Sequence, residues 1–340
     1  MLIFAEEKEI REKTMKVTLK DIIQTLLSLA LGILIFYLVY NHLDMEEMQT
    51  LIKTARWEYI IIPVVLSLFS SLVRALRWNM LIAPIAKEPK LRNTFCAVMY
   101  GYFINHLLPR AGEFARCGVL KKYEGIGFSE LIGTVITERA FDLIVTFLIV
   151  ALTLVCEYDV FRNALEGITF GQHLLAFMSS PILWICVAAC LLLFYFFRAK
   201  IMQLKIMGKV KEMGKGVWNG LKLFTKVSNK PLFIVYSLLK FFIYYLMLYF
   251  SFWMFDFTSG LDMRAGLTTY VFGALGMVVP VQVCIGTYEF MTIQALAIYG
   301  ISATCAGTFA ILAHLVEIVV NCVVGFLCSV MLPFINKNAK

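Results

Sequence analysis

The chain has 340 residues, 60% of them hydrophobic and 16% charged, with a mean hydropathy of +0.80 and a formal net charge of +8. Soluble domains carry about 45–50% apolar and about 25% charged residues. These values exclude a water-soluble enzyme or binding module and predict an all-α polytopic membrane protein.

Residues 1–21 are charged and faintly amphipathic, with no short apolar core followed by a small-residue cleavage site, and read as an N-terminal arm on the cytoplasmic surface rather than a signal peptide. The rest, 22–340, reads as a single transmembrane domain. Full crossings are predicted near 22–40, 57–82, 131–156, 181–198, 231–254 and 303–332. Sidedness follows the basic residues, because basic loops resist translocation. Lys8, Arg11, Lys13, Lys16 and Lys20 of the arm, Lys87, Lys90 and Arg92 of the 83–93 loop, and the nine Lys and Arg of the 198–230 linker face the cytoplasm. The acidic connections 41–56, 157–180 and 255–265 face outward. Both termini are then cytoplasmic, in what reads as a bacterial inner membrane.

This alternation holds only if two apolar segments, 94–123 and 266–300, enter the membrane and return to the face they came from. Each has two arms separated by a Pro/Gly break. An arm of about 15 residues rises only ~22 Å, short of a ~30 Å hydrocarbon core. They are therefore predicted to be re-entrant helical hairpins entering from opposite faces.

An internal repeat follows, with repeat 1 at about 57–156 and repeat 2 at about 231–332, joined through the basic linker. The order helix, hairpin, helix occurs twice and the second copy is inverted, a recurrent transporter plan. Pro109 and Glu113 answer Pro280 and Glu289; Glu138 follows Glu113 by 25 residues and Glu317 follows Glu289 by 28.

The charged residues at membrane depth are the site candidates, since each costs several kcal/mol in hydrocarbon unless paired or wetted. Arg110, Glu113 and Arg116 surround the first break, where Pro109 and Gly112 permit a turn. Glu113 is open to two readings: pairing with Arg110, Arg116 or Arg139 to hold the hairpin, or meeting a polar headgroup. Glu138 and Asp142 share a helix face, with Arg139 able to reach Asp142. On the last helix His314, Glu317 and Asn321 form one stripe, either a proton relay through His314 and Glu317 or a polar seam between helices. Arg74 and Arg77 are accounted for by positive-inside anchoring, with lipid-phosphate recognition as the other reading. The linker places Met207, Val210, Met213, Val217, Leu221 and Phe224 at helical spacing among lysines, as a helix on anionic lipid would.

No metal is predicted, for no H-E-x-x-H or comparable spacing exists, and the nine cysteines show no C-x-x-C spacing and read as packing residues. No P-loop, haem or nucleic-acid motif occurs, so no cofactor and no nucleic-acid partner is predicted.

The stretches R-A-L-R-W at 74–78, L-P-R-A-G-E at 108–113, T-E-R-A-F-D at 137–142 and P-x5-G-x2-E at 280–289 resemble the lysylphosphatidylglycerol synthase transmembrane-region family over nearly the whole chain. The resemblance implies the flippase-like half of such proteins without the aminoacyl-transfer domain, acting on a lipid made by a separate enzyme. It adds Gly286 and Glu289 to the candidate headgroup residues. One departure is notable: the family's second hairpin usually reads P-G-G-x-G-x-x-E, whereas this chain keeps Pro280, Gly286 and Glu289 and lacks the glycine pair. Membrane lipids are the expected partners, an oligomer stays open, and an intramembrane enzyme acting on a phospholipid or polyprenyl headgroup is the alternative.

Overall fold

The structure, a computed structural model, describes residues 19–108, 111–158, 223–278 and 281–337, with side chains from residue 26 onward apart from Gln282. Residues 1–18 of the N-terminal arm, the crossing at 181–198, nearly all of the 198–230 linker and the tip residues Pro109, Arg110 and Pro280 lie outside the described residues. Within them the protein is an all-α polytopic membrane protein. The helices are α1 (Leu19–Tyr40), α2 (Met45–Thr54), α3 (Ile61–Ile82), α4 (Leu91–Leu107), α5 (Gly112–Glu124), α6 (Phe128–Cys156), α7 (Lys230–Ser251), the single turn α8 (Asp256–Ser259), α9 (Met263–Gly276), α10 (Thr287–Ile298) and α11 (Ala303–Ile335). A 3-10 turn at Trp57–Ile60 leads into α3 and another at Phe252–Met254 extends α7.

Four helices are long and apolar enough to cross a membrane: Trp57–Ile82, Phe128–Cys156, Lys230–Met254 and Ala303–Ile335. They coincide with the predicted crossings to within a few residues. The predicted crossing at 22–40 falls on the 22-residue α1, and its Leu26–Tyr40 part turns through 92° into α2. Composition alone marks 41–56 as an acidic connection, yet most of it is helical. Asp44 nucleates α2 there by accepting hydrogen bonds from the Glu46 and Glu47 amides, a standard N-cap. Met48 is buried and Leu51 and Ile52 join the core around Phe252 and Phe309.

Both predicted hairpins are broken helices. Their arms have 17 and 13 residues in the first and 14 and 12 in the second. At 1.5 Å per residue these rise about 26, 20, 21 and 18 Å, all short of a ~30 Å core. Each hairpin ends beside its own beginning. In the first, Glu124 at the end of α5 accepts hydrogen bonds from the Lys90 amide (3.1 Å) and the Asn93 side chain (2.5 Å) at the start of α4. In the second, the Tyr299 hydroxyl, just after α10, donates to Thr268 near the start of α9 at 2.9 Å.

The base of the first hairpin also lies against the C-terminal end of α11, where Asn93 and Asn336 exchange two amide hydrogen bonds. The second hairpin runs into the N-terminal end of that same 33-residue helix. The two bases are thus at opposite ends of α11.

Glycine sets how closely the arms approach. A Cβ on Gly112 would overlap the Gly101 carbonyl oxygen, and one on Gly276 would lie 2.6 Å from the Thr287 carbonyl oxygen, so only glycine admits these crossings. The tips leave amides without helical partners, and side chains satisfy them. Asn105 accepts from the Gly112 amide at 2.7 Å, and Glu289 accepts from the Gly286 amide at 2.6 Å.

Packing repeats across the two halves. α3 lies against α7 as the central pair. α5 contacts α6 as α10 contacts α11, α4 contacts α11 as α9 contacts α6, and α4 contacts α3 as α9 contacts α7. One apolar core gathers Trp78, Met99, Leu120, Leu131 and Cys328, and a second gathers Leu248, Phe252, Leu296 and Phe309. Along α11 the second core comes first and the first core last, with buried His314 between them. The outer faces carry exposed Val65, Phe69, Phe147, Leu148, Phe242, Leu315 and Phe326. In water so much apolar surface would drive aggregation; against lipid it is in its natural solvent.

Candidate functional site

Intramembrane charges from four helices meet in one network. Glu138 of α6, fully buried, receives the Arg74 Nε at 2.7 Å and an Arg77 terminal nitrogen at 3.2 Å, both from α3, and an Arg116 terminal nitrogen at 2.7 Å from α5. Arg74 and Arg77 converge because residues three apart share a helix face. Asp142, one turn beyond Glu138, is reached by Arg77 and by Lys240 of α7, each at 2.7 Å. Asp142 and Lys240 both occupy the middle of their helices, 29 and 22 residues long, so this pair sits near half depth.

Glu113, in the first turn of α5, forms the rim. It contacts Arg116 at 2.5 Å, Arg74 at 3.4 Å and Arg139 more closely. The rim is the accessible part, with the Glu113 side chain 22% exposed and that of Arg139 50% exposed. Arg139 reaches Asp142 only at 4.0 Å, so its main carboxylate is Glu113 rather than the one expected from i, i+3 spacing.

Aromatic faces hold the cations laterally. The Arg116 guanidinium lies 4.3 Å from the Trp78 ring centroid, Arg74 5.0 Å from Tyr102, and the Lys240 ammonium 4.3 Å from Phe241. Trp78 is itself oriented by donating to Thr134 at 2.8 Å, and Ser237 accepts from Arg77 at 3.2 Å.

The charges do not balance. Among the described residues five cations, Arg74, Arg77, Arg116, Arg139 and Lys240, face three carboxylates, Glu113, Glu138 and Asp142, a surplus of two positive charges in one connected set. Donors are also left over: the Nε and one terminal nitrogen of Arg116 and the Nε of Arg77 are buried without a hydrogen-bond partner among the described residues. A buried guanidinium costs free energy for every donor left unmatched. The arrangement is therefore chemically suited to an anion with several acceptor oxygens.

The second hairpin builds a smaller centre. Glu289 is buried; one oxygen holds the Gly286 amide and the other lies 2.7 Å from His314 Nδ1, whose ring stands 4.6 Å from that of Tyr288. The partner of His314 is Glu289 rather than Glu317, because the hairpin tip brings Glu289 across to α11. Glu317, half-buried, makes no ion pair among the described residues. Tyr270 of α9 packs against the second apolar core. Asn321 is buried.

Gly286, at φ +85°, is pressed against α1: an added Cβ would lie 2.6 Å from the Phe36 amide nitrogen. Beside it Val283 and Cys284 adopt φ +55° and +57°, the left-handed region that disfavours side chains, above all a β-branched one. The tip thus keeps a glycine-like backbone at positions that carry other residues.

Of the sequence-derived candidates, Arg74, Arg77, Glu113, Arg116, Glu138, Arg139 and Asp142 are brought together, Gly286, Glu289 and His314 form the second centre, Glu317 stands apart, and Arg110 lies outside the described residues. One reading is corrected. Arg74 and Arg77 are 5% and 0% exposed, so they are buried ion-pair partners and not interfacial anchors; the neighbouring carboxylates on α6 draw them inward. Lys240 was missed, although a lone lysine at the centre of an apolar helix is a signal in its own right. Among the described residues no group of three His, Cys, Asp or Glu is placed to hold a metal.

No curated protein and no solved structure matches the chain. The family model described as the lysylphosphatidylglycerol synthase TM region matches residues 25–325, nearly all of the chain and both centres, and this integral membrane protein belongs to that family.

Proposed function

We propose that this protein moves a lipid with a phosphate-containing headgroup between leaflets of a bacterial inner membrane, with both termini in the cytoplasm. The observation that carries the reading is the surplus of positive charge and free guanidinium donors in the network around Glu138, at a depth where such groups are expensive without a counter-ion. Membership of a family named for a lipid synthase's transmembrane region supports a lipid as the ligand.

Two short hairpins whose bases lie at opposite ends of α11, and packing that repeats from one half to the other, support an inverted repeat. In this reading the hairpin tips border a hydrated path open to lipid. The headgroup enters at the rim formed by Glu113 and Arg139, and fixed charges and dipoles replace its water as it passes, which lowers the barrier. Arg110, three residues before Glu113 in the sequence, is a further candidate for headgroup binding. Glu289 and His314, with Glu317 one turn further along α11, would carry a proton if transport is coupled to one; the second hairpin is then the coupling element.

The test is reconstitution in liposomes containing fluorescent lipids of several headgroups, read by how quickly an impermeant quencher or reductant reaches the inner-leaflet probe. Wild type is expected to collapse the protected fraction, and folded Arg116→Gln to leave it protected. If wild type matches empty liposomes for every headgroup, native lipid extract included, the transport reading is wrong. A lipid of altered mass recovered from the same vesicles would replace it with an intramembrane enzyme.

A further inference from the structure

We infer that the ligand of the network around Glu138 is a lipid ending in a phosphate monoester, rather than one whose phosphate is a diester. The inference rests on the lipid-binding reading above and specifies its substrate class. Its basis is the match between two counts, one of charge and one of donors.

Among the described residues five cations and three carboxylates leave two positive charges uncompensated. A phosphate monoester carries about −1.5 to −2 at neutral pH and presents three terminal oxygens. A diester headgroup carries one negative charge and two such oxygens, which would leave a positive charge unmatched; a zwitterionic headgroup supplies no net charge at all. The free donors agree, for Arg116 contributes two and Arg77 one, all buried and unpartnered among the described residues. Arg116 cannot turn away to find other acceptors, because it is wedged between Glu113, Glu138 and the face of Trp78.

Neighbouring charge does not cancel the surplus. Glu317, half-buried on α11, makes no ion pair to any of its members among the described residues. Glu289 is occupied by His314 and the Gly286 amide. The free face of the network is the Glu113 and Arg139 rim, so a bound monoester would enter there, present its oxygens first to Arg116 beside Glu113, and trail its alkyl chains toward lipid.

The test is binding, separate from transport. Purified full-length protein in neutral detergent is titrated with dioctanoyl phosphatidic acid, dioctanoyl phosphatidylglycerol, dioctanoyl phosphatidylcholine and inorganic phosphate at pH 8 and pH 5. At pH 8 phosphatidic acid is expected to bind at least about tenfold more tightly than phosphatidylglycerol, since the second charge interacts with a buried positive field. At pH 5, below the second phosphate pKa of about 6, the gap should fall below about threefold.

Two variants separate charge matching from simple support of the fold. Lys240→Met lowers the surplus to one and should shrink the monoester preference at least about threefold. Glu113→Gln raises it to three at the accessible rim and should widen the preference. A structural role alone predicts weaker binding in both. Should Lys240→Met fail to fold, the rise in Glu113→Gln is decisive by itself.

Equal binding of phosphatidic acid and phosphatidylglycerol at pH 8, or a loss of preference in Glu113→Gln, overturns the inference. Inorganic phosphate binding as tightly as phosphatidic acid also overturns it, by making the ligand a free ion. Monoester-selective binding with no movement of lipid in liposomes leaves the inference standing and removes only the transport reading; movement without headgroup preference does the reverse.

Discussion

Glu138 is the member of the network whose loss should be felt most. It is fully buried and bridges three guanidiniums, from Arg74, Arg77 and Arg116, at 2.7 to 3.2 Å. In Glu138→Gln the amide oxygen can still accept a hydrogen bond, while its NH2 group points donors at a donor-rich cluster and the positive surplus grows from two to three. Breaking a buried ion pair by removing one partner costs about 3–5 kcal/mol. Taking ~4 kcal/mol, and about 2 °C per kcal/mol for a chain of this size, the midpoint of thermal unfolding should fall by about 8 °C. The assay is a thiol-reactive or intrinsic-fluorescence melt of detergent-solubilised protein.

The companion variant is Glu138→Gln with Arg116→Gln. It removes one of the stranded charges, so the double mutant should be at least about 2 kcal/mol more stable than the sum of the single effects, the coupling expected of groups in contact. A Glu138→Gln melt within about 1 °C of wild type, or strict additivity in the cycle, would refute the view that this carboxylate holds three buried arginines.

The other expectations concern the hairpins and α1. Gly112→Ala should cost at least about 3 kcal/mol and strip the protein of tight first-hairpin packing, because the new Cβ overlaps the Gly101 carbonyl and backbone cannot yield as a flexible side chain can; limited proteolysis near 108–111 would report it. Gly286→Ala should displace α1 from the second tip and lower the melting temperature by several degrees, read beside cysteine accessibility at position 36. Val283→Gly should raise stability by about 1 kcal/mol by relieving a left-handed β-branched residue, measured as a small upward shift in the melt. Single cysteines at 87 and 122 in a Cys-free background should label from the same side of the membrane, as hairpin ends tied by Glu124 and Asn93 require; labelling from opposite sides would make the first hairpin a crossing.

The amino-acid sequence by itself determined the class and the rhythm of the chain. Hydropathy and residue spacing are local quantities, so the long apolar runs, the two short-armed breaks and the unusual charges around Glu113 and Glu138 were legible without coordinates. The family motifs pointed to the same residues. What the tertiary structure alone decided is which of those groups meet. Arg74 and Arg77 look like interfacial anchors in one dimension because a basic pair near a helix end commonly is one; only the approach of α6 shows two carboxylates waiting for them.

Lys240 lies roughly a hundred residues from Asp142, and His314 is three residues from Glu317 yet bonds to Glu289. Neither pairing has a local signature, since both arise from how helices cross. The 92° bend into α2 likewise depends on Asp44 capping a short amphipathic helix whose apolar side finds a core built by α7 and α11. Partition into a membrane is a sum over residues and can be read from them one by one, whereas charge compensation depends on distances between elements far apart in the chain, and those exist only once the helices have packed.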